Sequence, residues 1–381
     1  MESQHRSILL SEYMSQVEPT DRLAVGDLHP ILLGLFGEVG SIMATAKKFH
    51  REKEAYVGYR HAVEEEFGDA LWYFTALCRR LDIRMDEILS DAAISERYST
   101  VIAANDLVEG PISRIATPLS VPELDPALLA LGEMTTRLFS LRNAADDARE
   151  RLTTFAKTYL EALKSAHVAF AEVVRKNIEK TKGRFVAPDL AALPVFDAQF
   201  PQDQQLPTHF EITIDQRGKA ERSYLRWNDV FIGDPLTDNI SDRDGYRFHD
   251  VFHFAHAAIL HWSPTFRALI KHKRKDDPTV DEAQDSGRAI VVEEGLTAWI
   301  FARAKDLNFF EGQKTISFDL LKTVQQFVAG YEVEACPLSL WEIAILKGYE
   351  VFRQVKVNRG GIVVCDRSAR TVAYRQLEDK A

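Results

Sequence analysis

Two acidic motifs near the start of the chain have the residue types and spacing of a metal site. The first contains Glu38, and the second contains Glu66 and Asp69, which are three residues apart and share one face of a helix. A carboxylate beside a buried face costs free energy unless it is paired or binds a cation. An oxygen-only cluster suits Mg2+ or Mn2+ rather than zinc. The predicted metal ligands are Glu38, Glu65, Glu66 and Asp69.

The same acids have a simpler interpretation. Acidic residues three apart on a helix are common on solvated surfaces, and Lys47, Lys48 and Arg51 would then be their ion-pair partners. Spacing alone does not decide between a metal site and a solvated helix face.

A family resemblance favours the metal site. The stretches Leu35–Ile42 and Glu65–Phe74 resemble the all-α nucleoside triphosphate pyrophosphohydrolases of the MazG and dUTPase-like superfamily, whose signature is Glu-x-x-Glu on one helix and Glu-x-x-Asp on the next. Glu38, Glu66 and Asp69 match this signature, whereas Ser41 replaces its second Glu. The resemblance implies that Glu38, Glu66 and Asp69 are catalytic and that Mg2+ assists hydrolysis of a nucleoside triphosphate to a monophosphate and pyrophosphate. With Ser41 as a weak ligand, metal affinity should be reduced.

Four further residues are candidates for binding the substrate. Lys47 and Lys48 follow Glu38 on the same predicted helix and would contact phosphate oxygens, although ordinary surface lysines fit their spacing as well. Lys176 and Asn177 lie in a basic segment that resembles the end of a MazG-type domain.

The resemblance occurs a second time in weaker form. Leu128–Met134 repeats the entry to the first motif, but the helix around Phe155–Leu163 lacks Glu-x-x-Asp. Residues 120–185 are therefore either a degenerate second repeat, which would make an intramolecular pseudo-dimer, or the completion of one four-helix unit. Pairing of subunits in a homo-oligomer is the alternative to the pseudo-dimer.

A second constellation lies in the C-terminal half. His249 and His253 are four residues apart on a predicted helix, and Glu294 follows about forty residues later. Two such imidazoles favour a transition metal, and a Glu-Gly-x-x-Ala helix after a His-x-x-x-His helix is similar to the zinc site of gluzincin-type hydrolases. His249, His253 and Glu294 are the predicted zinc ligands. Asp250 occupies the place of the general-base Glu of those enzymes, so peptidase activity is not expected.

Two other interpretations of this helix stay open. His249-Asp250 followed by His253 is also similar to the HD-type phosphohydrolases, which act on nucleotides. Alternatively, the histidines form a buried polar network with Asp244, Asp285 or Glu294.

Length and composition are those of a multidomain globular protein. The chain has 381 residues, of which 46% are hydrophobic, and its net charge of −10 argues against general binding to nucleic acids or anionic membranes. The three cysteines are dispersed and lack CxxC spacing, and the N-terminus lacks the form of a signal peptide. No apolar run reaches membrane-spanning length. A cytoplasmic location is expected.

The elements that must position these residues are mostly helical. We expect an all-α bundle with domains at 1–110 and 120–185, a Pro-rich linker at 186–208, and an α+β domain at 209–381. Segments 209–215 with 223–227, and 362–366 with 371–375, predict two β-hairpins of one small antiparallel sheet. The predicted function is metal-dependent hydrolysis of nucleoside triphosphates. The alternative is a nucleotide sensor with a degenerate first site and a C-terminal domain that is a zincin-like or HD-like hydrolase.

Overall fold

The computed structural model describes residues 8–24, 26–95, 123–142, 147–219, 221–241 and 243–377. The chain divides into two compact units, Met1–Val186 and Ala187–Ala381. It is mainly helical, with one five-stranded antiparallel sheet in the second unit, which confirms the predicted fold class. The boundary between the predicted domains 1–110 and 120–185 lies outside the described residues.

The first unit is built from helices. They are α1 (Leu10–Val17), α2 (His29–Glu52), α3 (Tyr59–Arg80), α4 (Met85–Ser95), α5 (Leu124–Arg137), α6 (Ala148–Ser165) and α7 (Phe170–Phe185). Pro30 lies in the first turn of α2, where its missing N–H costs nothing, and Gly58 precedes α3 with a φ of 91°. These residues help to define a hairpin of two long helices, α2 and α3.

The helices of this unit share one hydrophobic core. Helix α2 packs on α3, α5 packs on α6, and the two hairpins meet through α2 and α5. Helix α4 packs on α6, whereas α7 packs on α3. Each hairpin therefore packs against the helix that follows the other hairpin.

One segment among the described residues, His29–Ala55, is long and apolar enough to cross a membrane by length and composition alone, although no run of that length was expected from the sequence. Its residues Ile31, Leu35, Val39 and Ile42 are buried in the core of the first unit. This burial is the ordinary behaviour of a core helix.

The second unit combines the sheet with helices. The strands are β1 (His209–Arg217), β2 (Arg222–Trp227), β3 (Val230–Leu236), β4 (Gly360–Asp366) and β5 (Thr371–Arg375), in the order β3-β2-β1-β4-β5. The helices are α8 (Asp250–Ala255), α9 (Pro264–Ile270), α10 (Pro278–Val280), α11 (Gly287–Asp306), α12 (Phe318–Phe327) and α13 (Leu338–Asn358). Both predicted hairpins form and pair through β1 and β4, whereas β3 was not predicted.

The segment predicted as a linker, residues 186–208, is not a free connection. It is largely non-helical, as its prolines indicate, but from Ala187 onward it belongs to the second unit. Asp197 is 1% exposed, contacts Arg267 at 2.6 Å and Arg367 at 2.8 Å, and accepts a hydrogen bond from the backbone N–H of Leu206. These buried ion pairs fix the segment to the second unit.

Candidate functional site

Helices α2 and α3 bring the three predicted catalytic carboxylates together. One carboxylate oxygen of Glu38, one of Glu66 and one of Asp69 all lie within 4.8 Å of one another. Each of the three residues is partly buried. Burial and the negative charges of Asp69 and Glu66 raise the pKa of Glu38 to about 7. Burial, the largest cause, and the neighbouring negative charges both favour the neutral carboxyl group of Glu38, whereas a bound divalent cation would favour its charged form.

Lys180 of α7 reaches the same cluster, although it was not predicted as a site residue. Its ammonium nitrogen lies 2.7 Å from Oε1 of Glu65 and contacts the carboxylate of Asp69. Burial lowers the pKa of Lys180, but the carboxylates of Asp69 and Glu65 outweigh it, so the pKa is raised. Glu65, also a predicted ligand, is therefore directed towards a lysine at the edge of the cluster.

Asn177 lies against the cluster as predicted, and a third helix orients it. Tyr13 of α1 donates a hydrogen bond to Oδ1 of Asn177 at 2.9 Å, so the amide NH2 group faces Asp69 at 3.4 Å. A Cβ added to Gly68 would lie 3.1 Å from the Cβ of Asn177. The glycine thus permits the close approach of α3 and α7 that brings Asn177 and Lys180 to the carboxylates.

Lys176 does not face this cluster. It contacts the buried Glu64, which also accepts a hydrogen bond from Arg60 at 3.0 Å. Its position is that of a structural ion pair between α3 and α7.

Lys47 and Lys48 lie farther away along α2. They follow Glu38 by nine and ten residues, which is about 14 to 15 Å along a helix axis. Lys47 is exposed, and the ammonium of Lys48 lies 4.1 Å from the ring centre of Tyr56. The structure therefore does not bring these lysines to the three carboxylates.

The second hairpin has no comparable cluster among the described residues. Glu133, at the position of Glu38 in the weak repeat, is exposed and pairs with Arg137 on its own helix. The groups of carboxylates and histidines close enough to share an ion lie at α2–α3 and around α8 and α11, not on α5 to α7. Within the part of the chain that the structure describes, the acidic site lies on the first hairpin.

In the second unit, α8 and α11 bring the three predicted zinc ligands together. Nε2 of His249 lies 3.4 Å from Oε2 of Glu294, and Nε2 of His253 lies 3.3 Å from Oε1 of the same residue. Ligand atoms of His249, Asp250 and His253 also lie within 4.8 Å of one another. Asp250 is thus placed beside the imidazoles as a further ligand candidate.

Glu293, which the sequence analysis did not select, is fully buried behind this group. It lies 3.0 Å from Nδ1 of both His253 and His256 and accepts hydrogen bonds from the Ser263 hydroxyl and the Thr265 N–H. Burial raises the pKa of Glu293, but the two histidines outweigh it and lower the pKa to about 2.

The charges of this group are opposite and close together. Burial lowers the pKa of His253, but Glu293 and Glu294 outweigh it and raise the pKa. The adjacent histidines lower the pKa of Glu294 in turn, against the effect of burial. A π-helical turn, His256–Leu260, follows α8 directly and carries His256 at its start. Such turns are frequent at functional sites.

The comparison with protein families gives one match. Residues 191–378, just under half of the chain, match the family model of the MazG C-terminal domain. The matched region contains the sheet, α8 and α11. The searches of curated proteins and of solved structures found no match.

Proposed function

We propose that the first unit hydrolyses nucleoside triphosphates to nucleoside monophosphates and pyrophosphate with the help of Mg2+ or Mn2+. The observation that carries this proposal is the convergence of Glu38, Glu66 and Asp69 within 4.8 Å from two adjacent helices. The match of residues 191–378 to a MazG domain supports the same class of protein from a region of the chain that does not contain these acids.

The donors of the site fit a hard divalent cation. All three are carboxylates, and Mg2+ prefers oxygen ligands and is usually held by one or two carboxylates together with substrate phosphates. When bound, such an ion would neutralise phosphate charge and lower the pKa of a bound water.

The chain's own groups then have distinct tasks. Glu38, Glu66 and Asp69 would hold the cation through their carboxylate oxygens. Lys180 and the amide of Asn177 lie at the edge of the cluster, where they would contact the phosphate oxygens of the substrate. The hydrogen bond from Tyr13 keeps the amide in this orientation.

Release of pyrophosphate from a panel of ribo- and deoxyribonucleoside triphosphates, with Mg2+ or Mn2+, tests the proposal. We expect turnover by the wild-type chain and its loss in Glu66→Gln and Asp69→Asn, which remove charge without removing volume. The matched control is Glu133→Gln, on the hairpin without a cluster, which should keep wild-type turnover. Turnover that is equal in all four proteins would refute the assignment, and nucleotide binding without turnover would favour a sensor.

A further inference from the structure

The group around α8 in the second unit contains buried polar atoms that lack hydrogen-bond partners. Asp250 is 6% exposed and His253 is fully buried. Among the described residues, Oδ2 of Asp250 and both ring nitrogens of His253 have no hydrogen-bond partner. Nδ1 of His253 is 3.0 Å from Glu293, but not in hydrogen-bond geometry. Buried polar atoms of this kind are rare because each costs free energy, and a bound ion is one explanation.

The two imidazoles point the same nitrogen at the same carboxylate. Nδ1 of His249 lies 2.9 Å from the carbonyl oxygen of Tyr246, and Nδ1 of His253 faces Glu293. Nε2 of each ring therefore faces the carboxylate of Glu294. Metal-binding histidines usually have this arrangement, in which the nitrogen away from the metal faces a backbone carbonyl or a carboxylate.

Each imidazole lies from one oxygen of Glu294 at the separation of two ligands on a tetrahedral ion. With bonds of about 2.0 to 2.1 Å, neighbouring ligands of a tetrahedral zinc ion are about 3.3 to 3.4 Å apart. The distances from Nε2 of His249 and of His253 to oxygens of Glu294 are 3.4 and 3.3 Å. Hydrogen bonds between a charged imidazole and a carboxylate are shorter, at about 2.7 to 2.9 Å.

The neighbouring contacts of Glu293 are those of a structural support. Its carboxylate accepts hydrogen bonds from Ser263, from the backbone of Thr265 and from His256, so its position is fixed from several sides. Its carboxylate also lies 3.0 Å from Nδ1 of His253. Glu293 therefore holds His256 by a hydrogen bond and lies against the ring of His253, which suits a supporting role behind the imidazoles.

We propose that His249, Asp250, His253 and Glu294 bind one transition-metal ion, with Zn2+ as the best match to two imidazoles and two carboxylates. Glu293 and the carbonyl of Tyr246 are positioning groups. The ion joins α8 to α11, so its binding stabilises the second unit. This site uses none of the residues proposed for hydrolysis in the first unit.

Zinc binding by the full chain, freed of any affinity tag and treated with a chelator, tests the proposal. All proteins in this experiment also carry Asp69→Asn, which weakens binding of Zn2+ to the acidic cluster of the first unit. In this background we expect about one zinc per chain by elemental analysis after dialysis. Zinc added in hundredfold excess over its dissociation constant should stabilise the folded state by about 2.7 kcal/mol, seen as a higher melting temperature.

The test variant adds Asp250→Asn and Glu294→Gln, which keep side-chain volume but remove two ligand charges. Its matched control adds Asp306→Asn and Glu311→Gln, which are exposed acids of the same unit. The test variant should lose the zinc and the thermal shift, and the control should keep both. Equal zinc content in the two proteins, or none in the parent, would overturn the site.

If the double variant does not fold, Glu294→Gln alone decides the question. The Glu294 side chain is 37% exposed, so its substitution disturbs packing little. We expect it to weaken zinc binding by at least about tenfold. An unchanged dissociation constant in a folded protein would refute Glu294 as a ligand and the site with it.

Discussion

The ammonium of Lys180 lies 2.7 Å from the carboxylate of Glu65, at the edge of the acidic cluster formed by α2 and α3. It also contacts Asp69, so one positive charge already compensates part of the negative charge that a cation would neutralise. A lysine in this position has two effects. It stabilises the protein without metal, and it competes with the metal for the same oxygens.

Replacement of Lys180 separates these effects. We expect Lys180→Met to destabilise the metal-free protein by about 2 kcal/mol, because it leaves partly buried carboxylates without their cation. The same change should lower the Mg2+ concentration that gives half-maximal stabilisation, because the lysine no longer occupies the carboxylates. Thermal melts across a Mg2+ titration measure both quantities.

The control for this experiment is Lys182→Met, two residues later on the exposed side of α7. It removes the same charge from the same helix without touching the cluster. If the two variants melt alike without metal and respond alike to Mg2+, Lys180 has no role at the site.

Ser41 is the point at which the chain departs from the superfamily signature. It lies on α2 one turn after Glu38 and is half-buried. We expect Ser41→Glu to supply a further carboxylate and to lower the Mg2+ concentration for half-maximal activity about tenfold, equivalent to about 1.4 kcal/mol. Ser41→Gln has the same length without the charge and should leave the Mg2+ dependence near that of the wild type. Identical Mg2+ dependence in both variants would place residue 41 outside the metal's ligands.

Much of both sites follows from local sequence. The carboxylates of α2 and α3 could be predicted because short helical spacings fix which residues share a face, and a hairpin joins the two helices. Lys180 could not be predicted, because Lys176 and Lys180 share one face of α7. Only the packing of α7 along α3 decides which of the two lysines reaches the cluster. Lys176 pairs with Glu64, whereas Lys180 reaches Glu65 and Asp69.

The second site shows the same limit. His249, His253 and Glu294 could be selected from residue type and spacing, and the structure brings them together. Glu293 looked equivalent to its neighbour in sequence. Its separate role arises because consecutive residues of α11 face different sides, so Glu293 is buried under α8 while Glu294 stays partly exposed. The exchange of α4 and α7 between hairpins is likewise a property of the tertiary packing.

The exchanged packing of the first unit predicts its state of assembly. Because α4 already covers α6 and α7 already covers α3 within one chain, residues 1–186 should fold as a monomer. Light scattering coupled to size-exclusion chromatography measures this. A shorter fragment, residues 1–95, lacks α5 to α7 and should self-associate or aggregate because the core of α2 and α3 is uncovered. An obligate dimer of residues 1–186 would show that pairing occurs between chains instead.

Asp197 gives the second unit a defined acid sensitivity. Burial raises the pKa of its carboxyl group, but the charges of Arg267 and Arg367 outweigh burial and lower it. Because the folded pKa lies below the unfolded value, the ion pairs contribute their full stability above about pH 4 and lose it as the pH falls through the folded pKa. We expect Asp197→Asn to cost about 3 to 5 kcal/mol at pH 7, because Arg267 loses a buried partner.

The cost of Asp197→Asn should shrink at pH 3, because this pH lies below the ordinary pKa of an aspartate and the unfolded chain takes up the proton there. Urea midpoints of the full chain at pH 7 and pH 3 measure the difference. Tryptophan fluorescence of a Trp72→Phe background follows the second unit, because the other four tryptophans, Trp227, Trp262, Trp299 and Trp341, all lie there. Asp203→Asn, in the same segment but exposed, should change neither midpoint. A cost that is equal at both pH values would mean that the charge of Asp197 does not hold residues 187–208 in place.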